Sequence, residues 1–149
     1  MIKEYSIDIE HYAFKVVTPI QKRFSDLDSF AHANNAAQQN FFDLGRAEYV
    51  SKVEDYKPFY AAPVTLLVVS YHTDFFRPIL LEDEVEVCTT IYHIGEKSIK
   101  MMQVIRNRQS GAIHTVCDSV MVSVTITNAI PKAVSVPEEW MARIAEIEG

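Results

Sequence analysis

Residues 34–54 carry one long helical pattern, and nearly everything from residue 62 to residue 127 alternates like strand. Few folds accept that order, because one helix followed by consecutive strands buries its apolar stripe only against the sheet those strands build. In the helical stretch Ala37, Phe41, Leu44, Gly45, Val50 and Val53 recur at helical spacing, with Phe42 and Tyr49 widening the stripe. Either Asn34 or Asn35 suits the start as a cap. Gly45 costs about 1 kcal/mol in a helix interior, and close approach to a sheet is the expected compensation.

The strands follow in a regular series. Val64 to Tyr71 is almost continuously apolar and reads as a strand covered on both sides. Residues 84–93 alternate, residues 94–97 turn, Ser98–Asn107 form the next strand, and residues 112–127 form a long β-branched one. Upstream, residues 10–23 read as a first strand, with Tyr12, Phe14 and Val16 on one side and Thr18-Pro19 marking a bulge or edge. Pro137-Glu138-Glu139 opens a short C-terminal helix, its acids facing the positive end of the dipole. The expected fold is α+β: about five antiparallel strands curled around one central helix. Open sheet edges favour pairing with a second copy.

At 149 residues and 48% hydrophobic, the chain suits a single domain spanning residues 1–149. The net charge of −6 argues against a general nucleic-acid binder. Cys88 and Cys117 stand apart in strand-like runs, without metal-ligand spacing, and are expected as buried thiols. No segment reaches the roughly 20 apolar residues of a membrane helix. Met1 to Tyr5 lack a leader pattern, so a cytoplasmic location is expected.

The chemistry-bearing residues gather in one connection. Arg23 to Asn35 contains Asp26, Asp28, His32, Asn34 and Asn35, between a strand-like segment and the start of the long helix. Taken singly, acids and amides there have ordinary roles as turn formers and caps. Together they put a carboxylate at a helix start, where unpaired N–H groups can hold a developing oxyanion. That is the kernel of an acyl-transfer or hydrolysis site.

The pattern Arg23-Phe24-x-Asp26-x-Asp28-x-x-x-His32-x-Asn34-Asn35 resembles the signature of hotdog-fold acyl-CoA thioesterases of the 4-hydroxybenzoyl-CoA thioesterase-like family. Phe41-Phe42-Asp43-x-Gly45-Arg46 resembles the family's continuation along its central helix. Asp74-Phe75-Phe76-Arg77-Pro78 with Asp83-Glu84-Val85, and Gly95-x-x-Ser98, resemble its later turns. The resemblance covers about residues 8–130.

It implies a hotdog fold and hydrolysis of an acyl thioester of coenzyme A or of an acyl-carrier protein. No metal and no separate cofactor are implied, since coenzyme A belongs to the substrate. A homodimer or a dimer-of-dimers tetramer follows from the same family. Asp28 becomes the expected general base or nucleophile, His32 an orienting or proton-handling group, and Asn35 the oxyanion donor. Asn34, Gln38, Arg77 and Ser98 are the expected substrate contacts, and Asp26 a brace to Arg23 or Arg46.

The chain departs from the family at Gln38-Gln39, where members usually carry Tyr-Leu or a similar pair. Two amides there either make the acyl pocket more polar or bond to a neighbouring subunit. Lys97, Lys100, Arg106 and Arg108 around one hairpin either meet coenzyme A phosphates or guard a sheet edge. Two other readings belong to the same fold: a hydratase, whose Asp-x-Asn-Pro-x-His pattern is missing here, and a non-catalytic thioester binder.

Overall fold

A computed structural model describes residues 9–54 and 63–149; the leader reading at residues 1–5 lies outside them. Six strands form one antiparallel sheet: β1 (Val16–Pro19), β2 (Thr65–Phe75), β3 (Val85–Ile94), β4 (Ser98–Asn107), β5 (Ile113–Thr127) and β6 (Ile130–Ala133). Helix α1 (Asn35–Val53) lies against it, and α2 (Glu138–Glu148) closes the chain. The strand order is β1-β3-β4-β5-β2, with β6 added to β5. This is the α+β hotdog arrangement, with six strands where five were expected.

Helix α1 starts where Asn34 leaves helical geometry and its side chain accepts the N–H of Ala37 at 2.7 Å. Its buried face is Ala37, Gln38, Phe41, Phe42, Gly45, Arg46, Tyr49 and Val53. Leu44, expected in that stripe, is 55% exposed, because the helix turns its 44 position away from the sheet. Phe42 and Tyr49 are fully buried, and each such side chain contributes about 2 kcal/mol. Toward its start α1 packs on Ile79, Val85, Val87, Ile105 and Cys117. Toward its end Tyr49 and Val53 join Ile99, Met101 and Met121 with Trp140 and Ile144 of α2.

At Gly45 a Cβ would lie 2.6 Å from Val87 Cγ1 and 3.0 Å from both Gln103 Nε2 and Thr89 Oγ1. The expected close approach of helix and sheet is therefore present. Gln103 is wholly buried beneath it, donating to the Phe42 carbonyl at 3.0 Å and to Thr89 Oγ1 at 3.1 Å. Its carbonyl accepts from Arg46 Nη2 at 3.3 Å. A second latch joins α2 to the sheet. Glu148 accepts from the Tyr49 hydroxyl at 2.6 Å, from Thr90 Oγ1 at 2.7 Å and from the Ile91 N–H at 3.1 Å.

Three expectations need correction. The first strand is only Val16–Pro19; Ile9, Tyr12 and Phe14 leave the ladder and cover the outer sheet face at Cys88, Met102, Val104 and Val116. Their alternation was real, but it served packing across a sheet rather than pairing within it. Strand β2 is longer than expected and is not covered on both sides. Leu67, Val68, Val69, Tyr71 and Phe75 are exposed, because β2 ends the sheet. Lys97 and Lys100 sit at the opposite end of β4 from Arg106 and Arg108, so the four do not share one hairpin. Arg106 also forks onto Glu86, at 3.0 and 2.7 Å.

Cys88 and Cys117 are buried free thiols, and burial pushes Cys88 up to about 11. Among the described residues no helix is long and apolar enough to cross a membrane.

Candidate functional site

The Asp28 connection is held by backbone bonds. A 3-10 turn at Phe24–Asp26 is closed by Asp26, whose carboxylate takes the Arg23 N–H at 2.8 Å and the Arg23 guanidinium at 3.0 Å. Burial alone would raise the Asp26 pKa, yet those two bonds and the Arg23 charge hold it below the usual carboxylate value. The expected brace is thus made by Arg23, while Arg46 pairs with Asp43. Leu27 then bridges to Ala33, and the Asp28 N–H donates to the His32 carbonyl at 2.8 Å. Ala31 closes the excursion in the left-handed region, at φ 59°.

Within this loop Asp28 is exposed, and its Oδ1 accepts the N–H groups of Phe30 at 2.9 Å and His32 at 3.2 Å. Among the described residues Oδ2 has no hydrogen-bond partner. The carboxylate is thus fixed through one oxygen and open through the other. The Asn34 N–H donates to the Asp26 carbonyl at 2.9 Å, so the chain enters α1 directly from the loop. The cap occupies Ala37, leaving the N–H groups of Asn35 and Ala36 as the exposed donors of the first turn.

The distant segment that follows the Arg77-Pro78 turn meets this loop. His32 bridges to Leu80, and the Ala33 N–H donates to the Ile79 carbonyl at 2.8 Å. His114 secures the turn from beneath, its carbonyl accepting from the N–H groups of Phe76 and Arg77 at 2.9 and 3.1 Å. The Arg77 side chain is exposed beside this junction.

Gln38 is 4% exposed; it donates to the Ala33 carbonyl at 3.2 Å and accepts from Thr115 Oγ1. It ties the loop and the helix to β5. Gln39 donates to Thr73 Oγ1 of β2 at 2.8 Å. Ser98 is not brought to this cluster within the chain. It begins β4, whose other end, Asn107, reaches Asp83 at 3.5 Å beside Leu80. The strand between them spans about 30 Å.

Sequence reasoning passed over Gln103, Thr115 and Glu54. Gln103 had a signal, one amide amid Met101, Met102, Val104 and Ile105; Thr115 had none apart from its partner. Glu54, at the end of α1, is 8% exposed and lines a cavity of about 470 Å³ between α1 and β2. No group of three or more His, Cys, Asp or Glu side chains is placed to hold a metal among the described residues.

The chain is similar in sequence and fold to known thioesterases. The long-chain acyl-CoA thioesterase FadM of Escherichia coli K12 is 24% identical over 130 residues, covering 87% of this chain and 97% of FadM. A Thermus thermophilus thioesterase, solved with coenzyme A and Zn, is 27% identical with a TM-score of 0.75, over 91% of this chain and 95% of that one. The Staphylococcus aureus protein SAV2348, solved with coenzyme A, has the same fold at 15% identity and a TM-score of 0.75, over 89% and 83% of the two chains. The family model of the thioesterase-like superfamily matches residues 23–144, and the chain belongs to that superfamily.

Proposed function

We propose that the chain hydrolyses an acyl thioester, taking coenzyme A or an acyl-carrier protein as the thiol. The observation that carries this reading is the Asp28 carboxylate, fixed through Oδ1 and open through Oδ2, at the entry to a helix with two free N–H groups. In one route Oδ2 takes a proton from water, the hydroxide adds to the thioester carbon, and the C–S bond breaks to release the thiol. In the other, Oδ2 adds to that carbon itself, expels the thiolate and leaves a mixed anhydride for water to open. In both, the Asn35 and Ala36 N–H groups meet the carbonyl oxygen as it gains charge. His32, half-buried beside Asp28, returns a proton to the leaving sulfur.

Membership of the superfamily and the likeness to FadM favour acyl-CoA as the substrate. Asn34 holds the helix entry, Arg77 meets a coenzyme A phosphate, and Gln38 firms the pocket wall. Two copies join antiparallel along β2, where Leu67, Val69 and Tyr71 otherwise face water. In the sheet register Leu67 pairs with Val122, and Val122 with Ser98. Ser98 therefore contributes to the site of the second copy rather than to its own.

The test is free-thiol release from short, long and aromatic acyl-CoAs. Asp28→Asn is expected to lower turnover by about 10²- to 10⁴-fold, with circular dichroism and elution volume unchanged. Undiminished release from the best substrate by that variant overturns the assignment.

A further inference from the structure

The cavity between α1 and β2 is apolar along most of its length, lined by Ala47, Val50, Leu66, Leu67, Met121 and Ile126. Its volume of about 470 Å³ lies within the range of small-molecule sites. Asp43, Arg46, Ser51, Thr65 and Glu54 interrupt the apolar lining; Arg46 pairs with Asp43 and Gln103 through its terminal nitrogens, though its Nε has no partner among the described residues. Glu54 is more than nine-tenths buried, and its Oε1 has no hydrogen-bond partner among the described residues. A buried carboxyl oxygen without a partner is costly and rarely kept without a use. Burial also raises its pKa, which favours the neutral acid that can donate as well as accept.

A largely apolar wall with one orphaned buried acceptor, Glu54 Oε1, suits a ligand that brings a donor to it. We infer that this cavity receives an acyl chain carrying a hydroxyl group on its distal part, and that Glu54 is the residue that selects it. The hydroxyl satisfies Oε1, while the methylenes lie against Val50, Leu66 and Met121. A plain chain fills the same space but leaves the carboxyl unpaired, so selection comes from the cost of that orphan.

The inference rests on the proposed thioesterase for what the chain is attached to, and on the proposed pairing along β2 for how it reaches the cavity. Joining two copies along β2 brings Leu66 and Leu67 of one copy toward the Thr73 end of the other. Thr73 holds Gln39, close to the α1 entry. In that proposed pairing an acyl chain leaving one site points toward the cavity of the second copy.

The experiment is calorimetric titration of the intact protein with plain and ω-hydroxy fatty acids across a ladder of medium to long chains. Wild-type protein is expected to bind the hydroxylated acid about tenfold more tightly than the plain one at the best-fitting length. Glu54→Gln keeps a hydrogen-bonding amide and is expected to hold most of that preference. Glu54→Leu is expected to abolish it and to melt at a higher temperature than wild type, which also establishes that the variant folds. Equal affinity ratios in wild type and Glu54→Leu at every length, or no binding of either acid, overturn the inference. Thiol release is measured separately. A retained preference without release strikes only the thioesterase reading, and release without preference strikes only this one.

Discussion

Gly45→Ala sets two opposing effects against each other at the point where α1 comes closest to the sheet. In a helix interior alanine is favoured over glycine by about 1 kcal/mol. Against that stands the Val87 Cγ1 atom, 2.6 Å from where the new Cβ must go. Val87 is fully buried and β-branched, so it has little rotamer freedom to retreat. Overpacking of this kind costs about 1–3 kcal/mol. The same methyl reaches 3.0 Å from Gln103 Nε2, and a shift of Gln103 weakens its bonds to Phe42, Thr89 and Arg46, worth about 1 kcal/mol apiece.

The sum is a net loss of about 1–3 kcal/mol, or a fall of roughly 2–10 °C in melting temperature for a chain of this length. Thermal and urea unfolding at one fixed protein concentration measure it, since the stability of the proposed dimer depends on concentration. Val87→Ala in the same chain should recover part of the loss, with a coupling of about 1 kcal/mol between the two substitutions. A Gly45→Ala protein more stable than wild type, with no coupling to Val87, refutes the reasoning.

Two further outcomes follow from the bracing contacts. Glu148→Ala leaves the Tyr49 hydroxyl, the Thr90 hydroxyl and the Ile91 N–H without their shared acceptor, a loss of about 1–3 kcal/mol. The chain has one tryptophan, Trp140, on α2, so its emission should shift to the red at lower urea than in wild type; an unchanged urea profile counts against the latch. The second concerns pH. The folded pKa of Asp26 is depressed, so its contribution is present above the unfolded carboxylate value of about 4 and is lost as pH falls through the lower folded value. Stability of wild type should therefore drop more steeply than that of Asp26→Asn on acidification below about pH 4; parallel curves exclude the Arg23 brace as the cause.

Much of the architecture could be read from periodicity, because each strand or helix repeats its pattern over many residues. The helix was expected over residues 34–54 and runs Asn35–Val53, and β4 has the expected Ser98–Asn107 bounds. The failures share one physical origin: periodicity reports burial without saying what does the burying. Tyr12 and Phe14 alternate because they pack across a sheet face, and Leu67 to Tyr71 is mostly apolar although it is exposed among the described residues. Strand β6 escaped notice for a different reason. Its hairpin turns through Asn128 and Ala129, both in the left-handed region, and alanine gives no warning of such a turn. At the site, the types of residue were legible, but their grouping was not. Nothing in the spacing tells that Ile79 and Leu80, just after Arg77-Pro78, meet the Asp28 loop and that Ser98 lies about 30 Å along the strand from its far end.

The Asp28 loop is held by main-chain bonds at Leu27, Asp28, Ala33 and Asn34, to which one oxygen of Asp28 adds the N–H groups of Phe30 and His32 and leaves the other oxygen out of the frame. Shape and reactivity are thereby inherited separately. An Asp28→Asn change keeps an Oδ1 acceptor for the Phe30 and His32 N–H groups, so it alters what the platform does before it alters whether the platform forms. Within such a superfamily, new chemistry can arise one residue at a time on a frame that does not need rebuilding.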